Sequence, residues 1–153
     1  MKVKYIKANL SHIGEMRALI LPEVESGIIL DRSEDEIATN IRSYTLAYKE
    51  NILVGFTALH IHTLDLAEIR SLIVSATLRG QKIGENLVKY AVEEAKSLGI
   101  KRVLSLTYKQ SFFERLGFIE IPKESLPEHK IWADCIKCKH FPVCNEVSLI
   151  KSL

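Results

Sequence analysis

The sequence has no apolar run long enough to cross a bilayer, and residues 1–4 contain two lysines and lead into a predicted strand rather than an export signal. The formal net charge is +2, and the 21 lysine and arginine residues are spread along the chain, so no basic cluster indicates nucleic-acid binding. Internal repeats and low-complexity segments are also absent from the sequence. These absences favour a cytoplasmic protein with neither a membrane nor a nucleic-acid partner.

Cysteine is scarce and odd in number, at three residues, which argues for thiols or a metal site rather than disulfides. The candidates all lie in a tail at residues 135–153, and they are Cys135, Cys138 and Cys144, with His140 among them. These side chains are of the types that zinc prefers, but their spacing fits no standard zinc finger. Reduced cysteines packed in the tail are therefore the favoured interpretation, and a structural metal is the alternative.

The composition is that of an ordinary globular protein. The chain has 153 residues, of which 47% are hydrophobic and 26% charged, so we expect one domain over residues 1–153 with a substantial core. Its central stretch runs from Leu66 to Gly84. Aliphatic and β-branched residues predict a largely buried strand at 66–74, and apolar residues recur at helical spacing from Ile83 to Leu98.

Between this strand and helix lies the loop Arg79-Gly80-Gln81-Lys82-Ile83-Gly84. The start of a helix leaves N–H groups unpaired and carries partial positive charge, so a glycine-containing loop before it can bind phosphate, and Arg79 and Lys82 add charge of the right sign. The loop matches neither the mononucleotide P-loop nor G-x-G-x-x-G. Taken alone, it fits an ordinary helix start as well as a phosphate site.

The remaining periodicity predicts more strands and helices around this unit. The other predicted strands are residues 3–6, 44–48, 52–62, 102–108, 118–121 and 147–153. The other predicted helices are residues 10–21, ending at Pro22, residues 34 to about 43, with Ser33 and Glu36 as a capping box, and residues 111–116, closed by Gly117.

The loop in this setting resembles the acetyl-CoA signature of the GCN5-related N-acetyltransferases, the GNAT family, in which Arg/Gln-x-x-Gly-x-Gly/Ala follows the fourth strand and opens the long helix. Arg79 matches the first position and Gly84 the last, whereas Lys82 stands where the family usually has glycine. A backbone with positive φ there would strain Lys82. The resemblance implies an α/β (α+β) acyl-CoA N-acyltransferase fold, with a mixed, mostly antiparallel sheet flanked by helices, and acetyl-CoA as cosubstrate.

Within that family the chain resembles the acetyltransferase domains of N-acetylglutamate synthases, particularly the short stand-alone bacterial members. The segments that carry this resemblance are 27–33, 67–84, 106–108, 112–118, 126–132 and 134–146. It implies transfer of acetyl to the α-amino group of L-glutamate, the first step of arginine biosynthesis, without the amino-acid-kinase domain through which arginine inhibits the longer synthases. An acetyltransferase for another small amine, amino acid or protein amine is one alternative, and a non-catalytic acetyl-CoA sensor is another. Dimers are the commonest assembly for such proteins, although the sequence shows no interface.

Glu68 is the candidate general base, because it lies on the strand that approaches the thioester in the family. Removing a proton from the amine near neutral pH requires a raised pKa of Glu68 or a water relay. The alternative is a solvent-facing glutamate at the strand edge. His60 and His62 share one strand face and could act as the base instead, or merely line a polar surface.

Tyr108 is the candidate general acid, since Phe113 stands where many members of the superfamily have a tyrosine in that role; the alternative is that Tyr108 is a hydrogen-bonded structural residue. A thiol pKa near 8.5 lets thiolate depart with little help, so this role is a minor one.

The resemblance also implies cofactor- and acceptor-binding residues. Cofactor contacts are expected from the strand backbone at Leu72, Ile73 and Val74, which would also supply an oxyanion donor, and from Arg79, Gly80, Gln81, Lys82, Ile83, Gly84 and Phe113.

Arginine binds carboxylate in a two-pronged manner, so Arg32 and Arg70, with Lys130 as a third cation, are the candidates for holding glutamate. Glu68 and Arg70 share a face by strand alternation, which suits a base beside an anchor or a plain surface salt bridge. Longer synthases have an R-x-S-K run where this chain has residues 145–151 without arginine, so the acceptor stays open.

Overall fold

The computed structural model describes residues 2–27, 32–78, 80–122, 125 and 147–153, and these form one seven-stranded sheet flanked by helices. The strands are β1 (Val3–Lys7), β2 (Tyr44–Lys49), β3 (Ile52–Ile61), β4 (Leu66–Val74), β5 (Arg102–Thr107), β6 (Ile119–Ile121) and β7 (Val147–Ser152). The helices are α1 (Ile13–Glu25), α2 (Glu34–Thr39), α3 (Ile83–Leu98) and α4 (Gln110–Arg115), with 3₁₀ turns at Leu10–His12, Ile41–Ser43 and Ala76–Leu78.

The sheet order is β1-β2-β3-β4-β5-β7-β6, and every neighbouring pair is antiparallel except β4 with β5. This confirms the mixed, mostly antiparallel sheet expected from the sequence. On one face α3 buries its apolar stripe, including Leu87, Val88 and Ala91, against the middle strands. On the other face α1 and α2 enclose a second core around Met16 and Ile37.

Helix α1 does not end at Pro22, so that prediction is wrong. Proline removes one backbone hydrogen bond, and the following turn is still closed by the Ser26 N–H donating to the Pro22 carbonyl at 3.1 Å. The apolar stripe of Met16 and Ile20 continues to Val24, which packs against the same core. Tertiary packing therefore extends the helix for one turn beyond the proline.

Helix α2 begins with the predicted capping box of Ser33 and Glu36, but it ends at Thr39 rather than near residue 43. The Glu36 carbonyl accepts hydrogen bonds from the side chains of Thr39 and Asn40, both at 3.0 Å. The Asn40 N–H bonds to the Ile37 carbonyl instead. The side chains of Thr39 and Asn40 thus take the carbonyl that the next helical N–H would use, and the helix gives way to the 3₁₀ turn at Ile41–Ser43.

Strand β4 carries a bulge at Ser71, whose φ is +53°. Arg70 pairs with Ala58 and Ile73 with Phe56, so β4 has one residue more than β3 between these pairs. Because of the extra residue, the side chains of β4 that face α3 change from odd-numbered to even-numbered positions. Residues 67 and 69 pack on the α3 side before the bulge, and residues 72 and 74 pack there after it.

The bulge lies where β4 leaves β5. Their parallel pairing runs from Leu66 opposite Arg102 to Glu68 opposite Leu104, and no further pair of the two strands is present in the described part of the chain. Beyond Glu68, β4 remains bonded to β3, and β5 is bonded to β7. The two central strands therefore splay apart, and a backbone edge of β4 faces the gap.

Gly55 on β3 permits the close packing of this region. A Cβ there would lie 2.8 Å from the Ile73 carbonyl oxygen and 3.3 Å from Leu87 Cδ1. We expect Gly55→Ala to lower the free energy of unfolding by about 1–3 kcal/mol, measured by urea denaturation. The matched control is Gly14→Ala in α1, where a Cβ would meet nothing within 4 Å and a gain of about 0.5 kcal/mol is expected. Equal effects of the two changes would contradict this packing.

Candidate active site

The loop between β4 and α3 leads into a helix of 16 residues. The Asn86 N–H makes the first backbone bond of that helix, to the Lys82 carbonyl at 3.0 Å, so the amides ahead of it in the first turn are not used by the helix ladder. A Cβ at Gly84 would make ordinary contacts, 3.4 Å to Val74 and 3.6 Å to Phe112, so alanine would also fit. The first turn of α3 can therefore receive an anion beside the end of β4.

Lys82 has φ +63°, in the left-handed region, at the position where glycine was expected from the resemblance. We expect Lys82→Gly to raise the free energy of unfolding by about 0.5–1 kcal/mol, because the strain outweighs the extra freedom of glycine in the unfolded chain. Lys89→Gly, inside α3, is the control and should lower it by about 1 kcal/mol. Urea denaturation of both variants checks the opposite signs, and a loss of stability in Lys82→Gly would refute the strain.

Sequence reasoning missed Lys49, at the end of β2. Its Nζ lies 3.3 Å from Gln81 Oε1, so the β2–β3 hairpin brings a further cation to the loop. Glu50 and Asn51, with φ of +53° and +66°, form the tight turn that follows. Both strands were predicted, but the sequence carries no signal that the turn between them meets a loop 32 residues away.

The aromatic side chain beside the loop is Phe112 rather than Phe113. Phe113 is only 3% exposed and packs in the core, with its ring 5.2 Å from that of Phe118. Phe112 is partly buried and lies against the Gly84 position. Because Phe113 lies almost wholly in the core, Phe112 is the better candidate for the cofactor contact expected of Phe113.

Glu68 is buried, at 4% exposure, which rules out the solvent-facing alternative. Its Oε1 accepts a hydrogen bond from Arg70 Nε at 3.0 Å and lies 2.8 Å from His62 Nε2. His60 pairs directly with Glu68 across β3 and β4, and its ring stacks edge-on to that of His62 at 4.7 Å. The shared face predicted for the two histidines, and for Glu68 with Arg70, is thus present as one partly buried polar group around the buried Glu68, rather than as a surface salt bridge.

Tyr44, at the start of β2, lies on the same face, since it pairs with Ala58 across β2 and β3, and Ala58 pairs with Arg70 across β3 and β4. Burial raises the pKa of Tyr44, opposed by the positive charges of Arg32 and Arg70 and by a hydrogen bond from the Ser71 side chain. The phenol is therefore protonated at neutral pH and can donate. Arg32 is also paired with Glu36 at 3.9 Å. Sequence reasoning did not single out Tyr44 or Ser71, because their approach depends on the bulge.

The other predicted site residues are placed as follows. Tyr108 directly follows β5 and is 50% exposed. Arg79, Lys130 and the cysteine and histidine candidates, Cys135, Cys138, His140 and Cys144, lie outside the described residues. Within the described ranges, no group of three or more His, Cys, Asp or Glu side chains could hold a metal ion.

None of the described helices combines the length and apolar character that crossing a membrane requires.

Comparison with known proteins gives a consistent result. Residues 15–118 match the model of the acetyltransferase (GNAT) family. An uncharacterised N-acetyltransferase of Chlorobaculum tepidum is 39% identical over 127 residues, which cover 83% of this chain and 81% of that protein. An amino-acid acetyltransferase of Aeromonas salmonicida is 30% identical over 122 residues, covering 78% of this chain but 28% of that protein.

Among solved structures, N-acetylglutamate synthase of Neisseria gonorrhoeae, complexed with coenzyme A and N-acetyl-glutamate, superposes with a TM-score of 0.89 at 27% identity. The match covers 100% of this chain and 35% of the synthase. The chain thus spans about a third of the length of the amino-acid acetyltransferases and the synthase that it resembles.

Proposed function

The chain belongs to the acetyltransferase (GNAT) family, and on that premise we propose that it transfers the acetyl group of acetyl-CoA to the α-amino group of L-glutamate. The observation that carries the choice of acceptor is the placement of Arg70 beside Glu68 on the strand face that also holds the buried Tyr44, whose pKa is raised by burial and lowered by the charges of both Arg32 and Arg70. Two guanidinium groups from separate segments suit an acceptor with two carboxylates. The reaction is the first step of arginine biosynthesis.

Acetyl-CoA supplies the activated acetyl group as a thioester. Its pyrophosphate would be received by the first turn of α3 and by residues 80–84, with Arg79 and Lys49 as further cations. Its pantetheine would lie along the free edge of β4 at Leu72, Ile73 and Val74. The splay of β4 from β5 beyond Glu68 supports this path, because it leaves that edge without a strand partner in the described residues.

The chemistry assigned to the chain is direct attack of the acceptor amine on the thioester. Glu68 takes a proton from the amine, directly or through a water. The amine nitrogen then forms a bond to the acetyl carbon, and the carbon–sulfur bond breaks. A backbone N–H at residues 72–74 donates to the oxygen on which negative charge develops. Departing thiolate, with an ordinary pKa near 8.5, needs little protonation, so Tyr108 is given at most a supporting role.

A second acceptor class is favoured by one observation, the pairing of each arginine with a carboxylate. Arg32 lies 3.9 Å from Glu36, and Arg70 lies 3.0 Å from Glu68. Paired guanidinium groups attract a dianion less strongly than free ones. An amino acid with one carboxylate and an uncharged side chain is therefore the competing acceptor.

Release of free CoA thiol from acetyl-CoA tests the proposal, with each of the twenty amino acids and several polyamines offered separately and products verified by mass. We expect glutamate to give the highest kcat/KM. Turnover of a different amine would leave the acetyltransferase and overturn the glutamate assignment. Tight CoA binding without turnover of any amine would favour a protein acceptor or a non-catalytic sensor.

A further inference from the structure

His62 occupies a position for which the proposed reaction gives no role. It follows the last residue of β3, and its backbone N–H bonds to the Leu66 carbonyl at 2.9 Å, so the tight β3–β4 connection fixes its backbone. Its side chain and that of Glu68 are both only 5% exposed. A buried carboxylate is costly unless donors compensate it, and His62 Nε2, 2.8 Å from Oε1, is placed to do so together with Arg70.

Two donors meet on one oxygen of Glu68. Arg70 Nε donates to Oε1 at 3.0 Å, and His62 Nε2 lies 2.8 Å from the same atom. A carboxylate oxygen has two lone pairs in its plane, so these donors fill the accepting capacity of Oε1. Hydrogen bonds to the charged form also favour that form.

We propose that His62 is a positioning residue for the general base: with Arg70 it holds Glu68 in its carboxylate form and in a fixed orientation through Oε1. The Nε2–H tautomer of His62 is the one that donates to a carboxylate, and Glu68 in turn selects it. This role rests on the proposed function, because it assigns His62 to the base of that reaction. His62 touches neither substrate in this account.

The surrounding charged groups determine how the role can be tested. His60 faces Glu68 across β3 and β4, and Arg70 lies on the same strand. Farther along this face lies Tyr44. Burial raises its pKa, the positive charge of Arg32 lowers it, and the negative charge of Glu36 raises it. His60 is present in the parent protein and in every variant, so each pH profile is compared with that of the parent.

The experiment is the pH dependence of kcat/KM for the acceptor in His62→Gln and His62→Leu. Leucine removes a hydrogen-bond donor that stabilises the ionised form of Glu68, so Glu68 is ionised only at higher pH. We therefore expect the acidic limb of the kcat/KM profile to move up by about one pH unit. Glutamine presents an amide N–H in place of Nε2 and should keep the limb within about 0.3 unit of the parent. KM for acetyl-CoA should stay unchanged in both variants.

The matched control is Thr63→Val, which disturbs the same connection by removing the hydroxyl bonded to Asp65 and Leu66 while leaving both donors to Glu68. Its pH profile should coincide with that of the parent. If His62→Leu fails to fold, His62→Asn replaces it, because the shorter amide does not reach as far as Nε2.

The proposal would be wrong if the acidic limb of the pH profile did not move in His62→Leu. It would also be wrong if His62→Leu and His62→Gln lost equal activity without a shift of that limb. In either case His62 would be a packing residue only. Full turnover in Glu68→Gln would instead remove the base assignment itself. If glutamate proves inactive but another amine is acetylated, the same profiles are measured with that amine. Failure of this inference is therefore distinguishable from failure of the proposed function.

Discussion

Replacing Glu68 by glutamine is expected to lower kcat about a hundredfold, the lower end of the range of about 10²- to 10⁴-fold that is typical of a general base. The amide oxygen of glutamine can still accept from Arg70 and His62, so the buried contacts of the strand are retained. What is lost is the ability to take a proton from the amine. The rate of CoA thiol release at saturating substrates measures the effect, and CoA affinity should stay at the parent value.

The control for this change is Glu93→Gln on α3, which removes a carboxylate from an exposed pair with Lys96 at 3.3 Å. Surface pairs of this kind contribute little, so activity should be unchanged. If Glu68→Gln turned over as fast as this control, the proton would have to be taken by another group, and His60 would be the next candidate.

Replacing Arg32 by glutamine is expected to raise KM for glutamate about 10- to 100-fold, because one charge-assisted hydrogen bond to a carboxylate is lost. Arg32 is the cleaner choice of the two arginines, since Arg70 also bonds the proposed base. Neither kcat nor KM for acetyl-CoA should change by more than a few-fold. Steady-state kinetics with glutamate varied at saturating acetyl-CoA provide the measurement.

Arg102→Gln serves as the matched control for Arg32. It removes the same side chain from a surface pair with Asp65 at 3.3 Å, at the opposite end of β5 from the splay. Its KM for glutamate should equal that of the parent. Arg32 would have no part in holding the acceptor if its variant behaved like this control.

The strand, loop and helix at residues 66–98 could be predicted closely from the sequence. β-Branched residues, two glycines and a long helical stripe act locally there, and the observed bounds of β4 and α3 agree with the expected ones. Gly99, with φ +87°, ends α3 as a glycine at that position predicts. Local rules failed at Pro22, because packing of Val24 outweighed the loss of one hydrogen bond.

The candidate site was less predictable, since its geometry depends on contacts across strands. Strand alternation correctly grouped Glu68 with Arg70 and His60 with His62, but it gave no indication that all four are brought together in one polar group. The bulge at Ser71 also has no sequence signature, because a serine with positive φ is unusual in a strand. The roles assigned to Arg79, Lys130 and the tail cysteines stay predictions.

Competition between acceptors tests the central claim most directly. Equimolar glutamate, glutamine, aspartate and the other amino acids are mixed with the protein and a limiting amount of acetyl-CoA labelled with ¹³C in the acetyl group, and the products are identified by NMR. Product ratios then equal ratios of kcat/KM. The account predicts that label accumulates chiefly in N-acetylglutamate; accumulation chiefly in another product, with glutamate left unmodified, would contradict it.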